Sequence, residues 1–109
     1  MPGQENTALP IPLEAYFAAE GHSTTLDLFA NDAVVEDEGK VHTGAGAIGE
    51  WLASVQQRYQ PRYKVQGAET VGERTVVTFE VSGTFPGSPA VLRQAITVRD
   101  GVIGRLQTL

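Results

Sequence analysis

Cysteine is absent from this 109-residue chain, which excludes disulfide frameworks, thiolate nucleophiles and cysteine-based zinc sites. No apolar run approaches the ~20 residues that a bilayer-spanning helix needs, so no membrane segment is expected. Basic residues are scarce, 8 Lys and Arg against 13 Asp and Glu. The resulting net charge of −5 argues against nonspecific binding to nucleic acid or to an anionic membrane. Met1-Pro2-Gly3-Gln4-Glu5 has neither the basic nor the apolar stretch of a signal peptide, so a cytoplasmic location is expected. His22 and His42 stand 20 residues apart, which is no metal-ligand spacing, and no metal site is expected. The glycines of Gly44-Ala45-Gly46-Ala47-Ile48-Gly49 lack the Lys and the spacing of a phosphate loop. No serine sits in a nucleophile elbow, and no motif implies a cofactor.

What is present suits one small folded domain. A hydrophobic share of 41% with 19% charged residues argues against disorder, and the length leaves no room for a second core. Residues 1–9 carry no period and read as a flexible arm, with a single domain over 10–109. Leu13, Tyr16 and Phe17 fall on one helical face behind Pro12, with Gly21 as a stop. Ser23 or Thr24 caps a second short helix holding Leu26, Leu28 and Phe29. Short strands follow at 33–37 and around Val41-His42, joined by a turn at Glu38-Gly39-Lys40. A third helix opens at Gly44 and closes before Pro61, with Ile48, Trp51, Leu52 and Val55 at i, i+3, i+4 and i+7.

Beyond Pro61 the period drops from 3.6 to 2. Tyr63, Val65 and Gly67 share one face, as do Val77, Phe79, Val81, Gly83 and Phe85, and then Leu92, Gln94, Ile96 and Val98. Asp100-Gly101 is a two-residue hairpin signal leading into the last strand. Helices first and a strand meander afterwards give an α+β fold, three N-terminal helices packed on a mostly antiparallel sheet. The outward face of the long strands, with Thr78, Glu80, Arg93 and Thr97, is bland enough to meet a second copy, so a homodimer through the sheet is expected.

Glu36-Asp37-Glu38 reads in two ways. Composition makes it a solvated acidic turn. Strand alternation instead puts Asp37 on the face of Val35, turned inward, where burial would raise its pKa and suit it to general acid–base work. Gln94 lies between Leu92 and Ile96 on an apolar face, either as a bonded core amide or as a polar group lining a cavity. Tyr16 is either core packing or a donor to an oxyanion. Trp51, Phe79, Ile96, Tyr63 and His42 complete the candidate lining of a site for a small apolar ligand.

The segment Phe29-Ala30-Asn31-Asp32-Ala33-Val34-Val35-Glu36-Asp37, followed by His42-Thr43-Gly44 and Ala47-Ile48-Gly49-Glu50-Trp51, resembles the SnoaL-like group of the nuclear transport factor 2-like superfamily. The resemblance implies a strongly curved sheet around a cone-shaped cavity closed by helices. The same segment is similar to ketosteroid isomerase, where the Asp of a Val-Glu-Asp triplet shuttles the proton and a first-helix Tyr donates to the oxyanion. Those positions match Asp37 and Tyr16. The second donor of that family, a protonated Asp, falls at Gln94, whose amide donates a hydrogen bond without being an acid. SnoaL-like cyclases carry their acid on a late strand, and the inward positions of the last two strands here hold no Asp or Glu. Three readings stay open: an isomerase- or cyclase-like enzyme using Asp37 on an apolar carbonyl compound, a non-catalytic binding module, and a structural homodimer whose cone is filled by Trp51, Phe79 and Phe85.

Overall fold

In the computed structural model, which describes residues 9–18 and 25–109, the first element is helix α1 (Ile11–Ala18). Pro12 occupies its first turn, where a missing N–H has no intrahelical use, and the Leu13 and Glu14 amides bond to Pro10 O. Leu13, Tyr16 and Phe17 are buried, as their spacing predicts. The Trp51 stripe forms the longer helix α2 (Gly44–Tyr59), burying Ile48, Trp51 and Leu52. Gln60 ends it in the left-handed region, its amide bonding to Gln56 O ahead of Pro61.

Six strands make one sheet: β1 (Phe29–Asp37), β2 (Lys40–Thr43), β3 (Arg62–Val71), β4 (Arg74–Ser82), β5 (Ala90–Arg99) and β6 (Val102–Thr108). Their order is β2-β1-β6-β5-β4-β3, with β1 and β6 parallel and every other pair antiparallel. The β1–β2 turn is Glu38-Gly39, with φ of 52° and 76°, the left-handed pair that a two-residue hairpin requires. Both helices lie against one face of this curved sheet, burying Val35, Val77, Phe79, Ile96, Ile103 and Leu106 between the layers.

Three local expectations are corrected. Gly21, Ser23 and Thr24 lie outside the described residues, as do residues 1–8 of the arm, so of the expected second helix only the end is described. Of the expected second helix, Thr25 and Leu26 are helical, but Phe29 begins β1. The Ile103 amide donates to Leu28 O at 2.8 Å and draws the chain into parallel pairing with β6. β1 is therefore longer than the 33–37 strand that alternation suggests.

In β3 the register shifts between Val65 and Gly67, so Gly67 turns outward opposite Thr78 while Ala68 and Thr70 turn inward. A bulge of this kind re-aims a strand and bends its sheet. β4 ends at Ser82 instead of running through Phe85, because Gly83 passes under the end of α2. A Cβ at Gly83 would lie 2.2 Å from Tyr59 O, and the next residue, Thr84, donates its amide to that same oxygen at 2.8 Å.

The outward face is also more charged than β4 and β5 alone suggest. The registers put Arg62, Lys64, Arg74, Arg93, Arg99 and Arg105 on it, six of the chain's eight basic residues, with Glu36, Glu69 and Glu80 among them. Arg105 bonds to Glu36, and Arg99 pairs with Glu73 at 3.0 Å.

Candidate active site

The inner face does not close completely on the helices. A cavity of about 450 Å³ remains between Tyr16 of α1, Trp51 and Tyr59 of α2, and the inward residues of β3 to β6. Its size lies within the range of small-molecule sites. Most of its wall is apolar, and a few polar groups converge on it.

Asp37 is the last residue of β1, two positions beyond the fully buried Val35, and the alternation of the strand turns it inward and half-buried. The indole Nε1–H of Trp51 donates to its Oδ2 at 3.0 Å. Trp51 is held in turn by the helical stripe on one side and by the His42 ring at 6.0 Å on the other. Glu36 pairs with Gln107 in parallel register, which brings Asp37 level with Thr108, and Thr108 pairs with Gln94. The three side chains thus form one row across the sheet. Gln94 is 7% exposed; its Nε2 donates to Thr108 Oγ1 at 3.1 Å, and its buried Oε1 has no hydrogen-bond partner among the described residues.

Tyr16 reaches the same space from the helix side. Its ring stacks on Tyr63 at 6.2 Å and meets Phe17 edge-on at 4.9 Å, contacts of about 0.5–1.5 kcal/mol each that fix the hydroxyl. Burial pushes its phenol well above the ordinary value, Tyr63 and Asp37 add to this, and the Gln94 amide pulls the other way. Tyr63 is pushed up to about 12, by burial first and by Asp37 second. Both phenols stay protonated at neutral pH and are available as donors. At the rim, exposed Glu38 accepts a hydrogen bond from the Tyr59 hydroxyl at 3.3 Å, and Arg58 stacks over the Tyr59 ring at 4.7 Å while donating to the same hydroxyl.

Of the residues expected at the site, Asp37, Tyr16, Gln94, Trp51, Phe79 and Tyr63 line the cavity together. Two do not. Ile96 is fully buried beneath Gln94 in the core, and His42 sits behind Trp51, because β2 is an edge strand and its inward side chain meets the indole first. Thr108 escaped the sequence reading, although alternation from Leu106 puts it on the inner face. Tyr59, Phe85 and Leu92 also line the cavity, and the first two arrive there through the Gly83 contact. Among the described residues no three His, Asp or Glu side chains converge to hold a metal ion.

No family model matches the chain, and no curated protein does either. Solved structures do match. A Sinorhizobium meliloti protein provisionally assigned as a polyketide cyclase is 35% identical, with a TM-score of 0.87 over 93% of this chain and 95% of that one. The chain belongs to the SnoaL-like, nuclear transport factor 2-like superfamily. Other members of this superfamily share the fold at lower identity. A Catenulispora acidiphila protein with a ketosteroid isomerase-like fold, solved with trimethylamine, is 20% identical with a TM-score of 0.77, over 94% of this chain and 86% of that one. An Agrobacterium tumefaciens protein, provisionally assigned as a SnoaL-like isomerase, is 13% identical with a TM-score of 0.71 over 90% of both chains. The structural neighbours of this SnoaL-like chain thus include proteins assigned as cyclases and isomerases.

Proposed function

We propose that this SnoaL-like protein is a cofactor-independent acid–base enzyme of the isomerase or cyclase type, acting on an apolar carbonyl compound. Asp37 takes a proton from the carbon beside the carbonyl and returns it elsewhere on the molecule. The Tyr16 hydroxyl and the Gln94 amide donate to the oxygen that gains charge. Trp51, Phe79 and Tyr63 hold the apolar body. The observation that carries this reading is the half-buried Asp37 carboxylate, oriented by the Trp51 indole at 3.0 Å beside a cavity that also holds Tyr16 and Gln94. The open volume favours a ligand over a filled cone, since Trp51, Phe79 and Phe85 form its walls.

A second reading, a binding module without chemistry, draws on Gln94. An amide there supplies a weaker donor than a neutral carboxylic acid, and the enzyme then lacks part of its oxyanion stabilisation. Hydrogen–deuterium exchange separates the two. Wild-type protein is expected to accelerate exchange of the α-protons of small apolar ketones in D₂O, and Asp37→Asn to abolish the acceleration while leaving binding intact. Equal exchange with wild type and Asp37→Asn leaves the binding module as the function.

A further inference from the structure

The charge of the cavity wall is one-sided. Asp37 and Glu38 both line it, and among the described residues no Lys, Arg or His does. The nearby basic groups stand outside this wall. Lys40, the cross-strand partner of Asp37, shares its face of the sheet but is exposed and outside the lining, and Arg58 lies over the Tyr59 ring and bonds its hydroxyl. Arg105 bonds to Glu36 on the opposite face of the sheet, and His42 is screened from the cavity by Trp51.

The hydrogen bond to Asp37 from the cavity wall comes from an indole, a neutral donor that leaves the carboxylate's charge uncompensated. Tyr16 and Tyr63, which stay protonated, add no second negative charge and present O–H groups and ring faces. With Trp51, Tyr59, Phe79 and Phe85 they line the same cavity as the two carboxylates. Aromatic faces attract a cation through their quadrupole, most strongly where water is excluded. Among the described residues of the cavity wall, the half-buried Asp37 carboxylate has no positive partner.

We infer that the cavity selects organic cations, molecules whose apolar body carries a protonated amine or quaternary ammonium group, over neutral or anionic molecules of the same size. The inference rests on the reading that the cavity takes a small apolar molecule and adds the charge that molecule carries. Asp37 faces the cationic group from within, and Glu38, fixed by its bond to Tyr59, attracts it from the rim. A carboxylate-bearing ligand meets two like charges with no counter-ion among the described residues of the wall.

Isothermal titration of the full chain at low ionic strength tests this with three probes of matched size: phenethyltrimethylammonium, 4-phenylbutan-2-one and 3-phenylpropanoate. The ammonium is expected to bind about tenfold or more tightly than the ketone, and the carboxylate most weakly. Glu38→Gln is expected to weaken the ammonium severalfold and to leave the ketone within about twofold, a split that a folding defect does not produce. A ketone that binds as tightly as the ammonium, or an ammonium indifferent to Glu38→Gln, overturns the charge selection and leaves the acid–base reading standing. Failure of all three probes to bind at millimolar concentration overturns both.

Discussion

The Trp51–Asp37 hydrogen bond is the contact on which the site's geometry depends, and its strength follows from its surroundings. The indole N–H donates to a charged acceptor at 3.0 Å, and such bonds contribute about 1.5–3 kcal/mol. Asp37 is only half-buried, so water competes for it and the lower end applies. Trp51 itself is 8% exposed, and cutting its ring to phenyl also leaves a small void, at about 1 kcal/mol. Trp51→Phe is therefore expected to destabilise the fold by about 2.5 kcal/mol, of which about 1.5 kcal/mol belongs to the pair. A double-mutant cycle with Asp37→Ala, followed by urea unfolding, isolates the pair contribution. A coupling of about 1–2 kcal/mol supports the assignment; a coupling under about 0.5 kcal/mol refutes the idea that Trp51 holds the carboxylate in place.

High pH tests the buried phenols. The unfolded chain releases the Tyr63 proton near its ordinary value and the folded chain near 12, so the unfolded state binds fewer protons between the two. Stability is full below pH 10 and falls by up to about 2.5 kcal/mol as pH rises to 12, and tyrosinate absorbance should show Tyr16 and Tyr63 titrating late; an onset of all three tyrosines at pH 10 in the folded protein contradicts this. Gly83→Ala is expected to cost about 2–3 kcal/mol, since its Cβ pushes Tyr59 O away and breaks the Thr84 bond, while Gly46→Ala in α2, with open space around it, should stabilise by up to about 1 kcal/mol in the same thermal scans. We also propose that two copies associate through the outward sheet face, more strongly as salt screens its basic residues. Sedimentation showing only monomer at roughly tens of micromolar in high salt counts against it.

Much of this arrangement was legible in the sequence because periodicity reports which side chain faces inward. The Trp51 stripe, the β4 and β5 alternation and the inward turn of Asp37 all follow from spacing alone. Deviations occur where a tertiary contact overrides the local period. The bulge in β3 moves Gly67 outward, the β6 pairing converts Phe29 from helix to strand, and Gly83 leaves the sheet to seat α2. His42 and Ile96 carried the right face but the wrong depth, since alternation gives a direction and says nothing of what lies in between. Thr108 was missed because one hydroxyl near a chain end carries no distinguishing pattern until Gln94 is set beside it.

The sorting of basic residues onto the outer face gives the molecule an electrical axis. Six of the chain's eight positive charges lie on the side away from the cavity and outnumber Glu36, Glu69 and Glu80 among them, while Asp37 and Glu38 line the cavity. Such a dipole turns the protein in the field of an approaching ion and raises the encounter rate without any change in the contacts made at rest. The effect reaches about 10 Å at 0.1 M salt and fades as salt rises, whereas the aromatic walls hold what has already entered. Capture and retention would therefore respond to ionic strength separately, the first through association rate and the second through residence time.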